Sequence, residues 1–122
     1  MRYLLLLISS ASLTMAAENA AIDVYTTKVV PLLTTHCYNC HGEKKAKHDL
    51  RLDSLADILK GGREYGPAVI FGKPDESPLI KLIKLPKGED QAMPPKGARL
   101  TADEVAVLSE WIAKGAKEGA AK

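Results

Sequence analysis

The chain has 122 residues, enough for one small domain and too few for a multidomain enzyme. Seventeen Lys and Arg stand against fifteen Asp and Glu, a formal net charge of +2, so there is no broad basic excess of the kind that marks a general nucleic-acid binder. Aromatic residues are only 5% of the chain and cysteines number two, which excludes a large aromatic core and a disulfide framework.

The first sixteen residues read as a secretory signal peptide. Arg2 gives a short basic start, 3–13 is an almost unbroken apolar run, and Thr14-Met15-Ala16 supplies small residues around a cleavage point before Ala17. The run is shorter than the roughly 20 residues a membrane-spanning helix needs, and no later stretch is long and apolar enough to be a span. The alternative is that the segment is retained as an N-terminal anchor. Cleavage would leave one domain over 17–122, exported to the periplasm, with a net charge of about +1.

A helix is expected over 22–35, where Ile22, Tyr25, Val29, Leu32 and Leu33 recur at helical spacing. Pro31 should kink or restart it. It runs directly into Cys37-Tyr38-Asn39-Cys40-His41. Two cysteines three apart, with histidine directly after the second, form the attachment pattern of a c-type haem. Both thiols add to the vinyl groups of one haem, and the next residue is placed to offer its imidazole to the iron. Cys37 and Cys40 are therefore the candidate covalent anchors, and His41 the candidate proximal ligand.

Rival uses of these residues fit less well. A disulfide between Cys37 and Cys40 would close a very small loop. A thioredoxin-like dithiol follows a strand, whereas here a helix precedes it. A zinc site from Cys37, Cys40, His41 and His48 would place adjacent residues on one tetrahedral ion and lacks a second ligand pair at zinc-finger spacing. Ser54 and Ser77 have no histidine partner suggested by the sequence, so nucleophilic catalysis has no support.

Beyond the motif, 42–52 is a polar loop rich in lysine (Lys44, Lys45, Lys47). A short helix is expected over 54–60, with Ser54 as N-cap and Gly61-Gly62 as its stop. Residues 68–71 are strand-like in composition, though one such piece makes no sheet. A third helix is expected over 77–85, capped by Ser77 with Pro78 in its first turn. The loop 86–97 contains Met93-Pro94-Pro95. Signal cleavage would leave Met93 as the sole methionine, and the two prolines stiffen the loop that presents it. Met93 is the candidate distal ligand; a thioether there stabilises ferrous iron. His36 and His48 are weaker candidates, His36 suited to solvent or a cap and His48 set in the lysine-rich loop.

The last helix has the sharpest signals. Thr101 and Glu104 form a capping box, Val105, Leu108, Trp111 and Ile112 make one apolar stripe, and Gly115 suits the residue past its end. The remaining Ala- and Lys-rich residues read as a frayed tail. Arg51 is either a partner for a haem carboxylate or a solvated loop residue, and Tyr65 and Trp111 are read first as core aromatics. The lysines around the two loops form either a docking rim or a wet surface.

Taken together the chain resembles the class I cytochromes c, and more narrowly the short cytochrome c domains of planctomycete type. The likeness covers nearly the whole mature chain. It is carried by Val30-Pro31-Leu32-Leu33, Cys37-Tyr38-Asn39-Cys40-His41-Gly42, Leu50-Arg51-Leu52-Asp53-Ser54 and Gly61-Gly62. It continues through Gly66-Pro67, Gly72-Lys73-Pro74-Asp75-Glu76-Ser77, Met93-Pro94-Pro95, Leu100-Thr101, Trp111-Ile112 and Gly115-Ala116. The resemblance implies an all-α class I cytochrome c fold, with N- and C-terminal helices crossing around one covalently bound haem c. It assigns Cys37 and Cys40 as anchors and His41 and Met93 as axial ligands.

The expected function is single-electron transfer between a redox protein donor and acceptor, with no open iron site and hence no enzymatic role. Two other readings stand beside it: a haem enzyme or gas sensor with a displaceable Met93, and an electron-entry subunit of a periplasmic dehydrogenase. The thin apolar inventory also makes haem part of the core. Haem-free protein should therefore lack a cooperative thermal transition by calorimetry, and a native-like melt would contradict this.

Overall fold

A computed structural model describes residues 24–117. The leader expected over 1–16, the helix start at Ile22 and Asp23, and residues 118–122 of the expected tail lie outside the described residues. The described fold is all-helical. Helix α1 is a π-helical stretch, Tyr25–Val29, running straight into α-helical Val30–His36. Helix α2 is Leu55–Lys60, α3 is Pro78–Lys84 and α4 is Ala102–Ala113. Single 3-10 turns, Lys47–Asp49 and Pro74–Glu76, lie between α1 and α2 and before α3.

The first helix handles Pro31 in a way the periodicity does not reveal. Val30 N–H donates to the Tyr25 carbonyl five residues back, the signature of the wider π turn. Proline has no N–H to give, and its ring crowds the carbonyl four residues before it. The loose turn absorbs that crowding, and the helix continues without a restart.

Local capping follows the sequence at α2 and α4. The Ser54 hydroxyl accepts from Asp57 N–H at 3.1 Å. At α4, Thr101 Oγ1 accepts from Glu104 N–H while a Glu104 carboxylate oxygen accepts from Thr101 N–H, a complete capping box. Past α4, Gly115 takes φ 103° and its N–H returns to the Ile112 carbonyl. Ser77 departs from expectation. It holds the N-cap position of α3, but its fully buried hydroxyl donates to the Lys73 carbonyl at 2.8 Å and accepts from Ile70 N–H at 2.9 Å. It pins the preceding turn rather than the helix, so Pro78 alone supplies the helix-start chemistry.

Residues 68–71 form no sheet. Ala68 N–H donates to the Ile58 carbonyl and Leu79 N–H to the Ala68 carbonyl, so this segment stitches α2 to α3. Two isolated antiparallel bridges, His41 with Ala46 and Gly62 with Gly66, are the β-type pairings among the described residues.

The core gathers one face from each helix: Val29 and Leu33 of α1, Ile58 of α2, Ile80 of α3, Leu108 and Ile112 of α4, all buried. Burying each such side chain contributes roughly 1.5–3 kcal/mol. Tyr25 and Trp111 pack with ring centroids 5.6 Å apart, joining α1 to α4. The Trp111 indole N–H, its one polar atom, donates to the Lys117 carbonyl at 2.9 Å.

Two glycines test how tightly the α2 exit is built. Both Gly61 and Gly66 have positive φ, but a Cβ on Gly61 would meet the Gly66 carbonyl oxygen at 1.7 Å, while one on Gly66 meets nothing within 4 Å. Gly66→Ala should cost about 1–2 kcal/mol from backbone strain alone. Gly61→Ala should cost more than about 4 kcal/mol or prevent folding. Denaturant melts of the two variants check the contrast, and equal losses would refute it.

Candidate cofactor site

The Cys37-to-His41 motif folds as one tight turn off the end of α1. Cys37 N–H donates to the Leu33 carbonyl at 2.8 Å, and Cys40 and His41 N–H groups both return to the Cys37 carbonyl, at 3.2 and 2.9 Å. That turn brings both sulfurs and the imidazole to the wall of a single cavity of about 730 Å³. Gly42 is required there. A Cβ on it would lie 2.5 Å from the Tyr38 carbonyl oxygen, so the turn closes only around glycine.

His41 is buried, and its Nδ1 lies 3.2 Å from the Leu50 carbonyl, to which Nδ1–H donates. This contact fixes the ring and leaves Nε2 as the free donor atom, the usual arrangement for a metal-binding histidine. Burial lowers the His41 pKa below the ordinary histidine value, which favours the neutral ligating form. Cys37 and Cys40 form no disulfide. Burial, followed by the neighbouring Cys40, pushes the Cys37 thiol up to about 11.

Met93 reaches the same cavity from a segment more than fifty residues away. Its N–H donates to the Leu82 carbonyl at 3.0 Å, anchoring the loop to α3, and the Met93–Pro94 bond is cis. Arg99 holds the far end of that loop, donating from Nη2 to the Ile83 and Leu85 carbonyls at 2.8 and 2.7 Å. All four residues singled out in the sequence, Cys37, Cys40, His41 and Met93, thus line one space. Leu50, Leu52, Ala68, Leu79 and Ile83 supply much of its apolar wall.

The donor set fits a haem. The volume falls within the roughly 300–1,000 Å³ of cofactor pockets. Two thiols and an oriented imidazole among apolar side chains suit a covalently attached iron porphyrin, and the Met93 thioether is a further donor in the same lining. Among the described residues, no group of three or more His, Cys, Asp or Glu is placed to hold a metal ion, so Cys37, Cys40, His41 and His48 do not assemble into a zinc site.

Of the other residues singled out in the sequence, Trp111 is placed as read and several are not. Arg51 is not among the residues lining the cavity: its guanidinium grips Asp53, with Nε 3.0 Å from Oδ1, and lies 4.0 Å from Asp57. That hydrogen bond holds the Asp53 carboxyl below its ordinary range. Trp111 belongs to the core, whereas Tyr65 lines the cavity. His48 also lines the cavity, with Nδ1 3.7 Å from Glu64. His36 is neither solvated nor a cap; its side chain is 11% exposed, lines the cavity, and places Nε2 3.3 Å from Glu104 Oε2. The glutamate that caps α4 thereby also ties α4 to the end of α1. Nothing in the sequence pairs residues 36 and 104, because only the packing of α1 on α4 brings them together. Of the lysines, Lys45, Lys47 and Lys96 line the cavity.

An all-helical domain with a Cys-x-x-Cys-His turn facing one apolar cavity defines a cytochrome c-like haem protein. The chain belongs to the Planctomycete cytochrome C family, whose model matches residues 37–97. No curated protein and no solved structure matches the chain. Motif and family together assign one covalent haem c and an electron-transfer role. Helices α1 and α4 lie outside the matched segment.

Covalent attachment has a direct check. Replacing both cysteines (Cys37→Ala with Cys40→Ala) should remove all haem colour from the denatured polypeptide on a gel, while the parent chain keeps it. Colour that persists in the double variant would place the attachment elsewhere.

Proposed function

We propose that this chain is a periplasmic single-electron carrier whose haem is anchored by Cys37 and Cys40 and held axially by His41 and Met93. The observation that carries the reading is the convergence of the 37–41 turn and Met93, far apart in sequence, on one cavity. Bound there, haem supplies a one-electron Fe(III)/Fe(II) couple. The protein's contribution is positional. Leu50 aims the His41 ring, the Leu82 carbonyl fixes the backbone at Met93, and the leucine and isoleucine wall keeps water from the metal, which raises the potential.

With both axial positions filled by the chain, no coordination site is left for a substrate, so a carrier role suits the site better than catalysis. The packing of Tyr25 on Trp111 supports a class I arrangement, in which N- and C-terminal helices cross. Among the described residues no helix is long and apolar enough to cross a membrane. Residues 1–16 serve in this reading as an export signal, and 17–122 as the mature monohaem domain. The partners are a redox protein donor and a redox protein acceptor, met at the cavity mouth beside Lys45, Lys47 and Lys96.

Met93→Ala separates this reading from a sensor or haem enzyme. The variant should lose the weak near-infrared band of methionine-to-iron(III) ligation, bind carbon monoxide in the ferrous form, and show a lower potential, since a thioether favours ferrous iron. The parent should bind carbon monoxide poorly. A parent that binds it tightly, or a variant with an unchanged spectrum, would refute the ligand assignment.

A further inference from the structure

The loop 86–97 that carries Met93 is pinned on one side to α3, through Met93 N–H on the Leu82 carbonyl and Arg99 on the Ile83 and Leu85 carbonyls. Its remaining backbone hydrogen bonds, Glu89 to Pro86 and Ala92 to Glu89, are internal. On the opposite side one side-chain contact crosses to another segment. Tyr65, on the turn closed by the Gly62–Gly66 bridge, donates its hydroxyl to the Gln91 side-chain oxygen, two residues before Met93. The Tyr65 ring lines the cavity and is 44% exposed, so the contact lies at the cavity's solvent edge.

The turn that carries Tyr65 is itself fastened to the His41 side. Arg63 N–H donates to the His48 carbonyl at 3.0 Å, and His48 Nδ1 lies 3.7 Å from Glu64. Two residues beyond His48, Leu50 presents the carbonyl that orients His41. A run of contacts therefore links the Met93 loop, through Gln91, Tyr65 and the Gly62–Gly66 turn, to the segment that holds His41. His48 and Asp49 carry it in left-handed backbone, with φ of 56° and 60°, a strained geometry kept only where the surroundings enforce it.

We propose that Tyr65 and Gln91 form a clasp that holds the Met93 loop shut over the haem and sets how readily an outside ligand displaces Met93. Tyr65 acts as a positioning residue: it works through Gln91 and the loop, not on the iron. This rests on Met93 being the distal ligand. The clasp is one exposed hydrogen bond, so its removal should loosen the loop without unfolding the domain. The open loop exposes an iron site to small neutral donors such as imidazole, making the clasp the point at which a partner or mutation could convert a carrier into a ligand-binding protein.

Imidazole titration of the ferric holoprotein tests this. Tyr65→Phe keeps the ring and loses the hydroxyl, and should bind imidazole about 3- to 10-fold more tightly than the parent while retaining the methionine–iron band. Gln91→Ala should match it, the double variant should bind no more tightly than either single one, and Gln91→Glu, which keeps an acceptor, should behave like the parent. Faster amide exchange over 86–97 in Tyr65→Phe, with an unchanged global melt, would further support the clasp. Parent-like imidazole affinity in Tyr65→Phe, or additive effects in the double variant, would overturn it. A parent without the methionine–iron band would overturn the ligand assignment, and the clasp with it.

Discussion

The carbonyl of Leu50 sets the direction of His41, and with it the geometry of everything that meets in the cavity. An imidazole held through Nδ1 can offer only Nε2, along one line, so the group opposite must lie at a fixed place. In the proposed reading Met93 would occupy that place, carried on a loop whose backbone is tied to α3 at Leu82. The two cysteines then fix a planar group in rotation as well as position. Under that reading four residues in two short segments would hold the cofactor, and the helices serve to keep those segments on facing walls of one cavity.

Core and site share walls. Leu52, Leu79 and Ile83 belong to the hydrophobic core and also face the cavity. Protein interiors pack to the density of organic crystals, so a cavity of about 730 Å³ walled by core side chains calls for a bound group to fill it. A haem held there would pack against the core as well as serve as the reactive group. The Tyr25–Trp111 contact and the His36–Glu104 pair join α1 to α4, the latter at the cavity's edge.

Much of this was legible in the sequence where the governing chemistry is local. The haem motif, the Ser54 cap, the Thr101–Glu104 box and the glycine stop at Gly61 each depend on residues within a few positions, and each appears as expected. Met93 could be singled out because cleavage would leave no competitor and because prolines follow it. What escaped was set by tertiary contact or by competition between partners. Ser77 had a suitable cap position, yet its hydroxyl found Lys73 and Ile70, which the turn brought closer. His36 found Glu104, and Tyr65 found Gln91, only after distant segments had packed. Arg51 is a different case. Its partner Asp53 is two residues away, so the pairing was within reach of a local reading that looked for a carboxylate in the chain before one on a cofactor.

The joint placement of His41 and Met93 across one haem is tested most directly by the proton NMR spectrum of the reduced holoprotein. A methyl group pressed against the face of a porphyrin is shifted far upfield by its ring current. The expected spectrum contains one three-proton resonance upfield of all ordinary methyls, assignable to Met93. A Met93 methyl at the position of a free methionine, in a protein that nonetheless carries covalent haem, would contradict the axial arrangement.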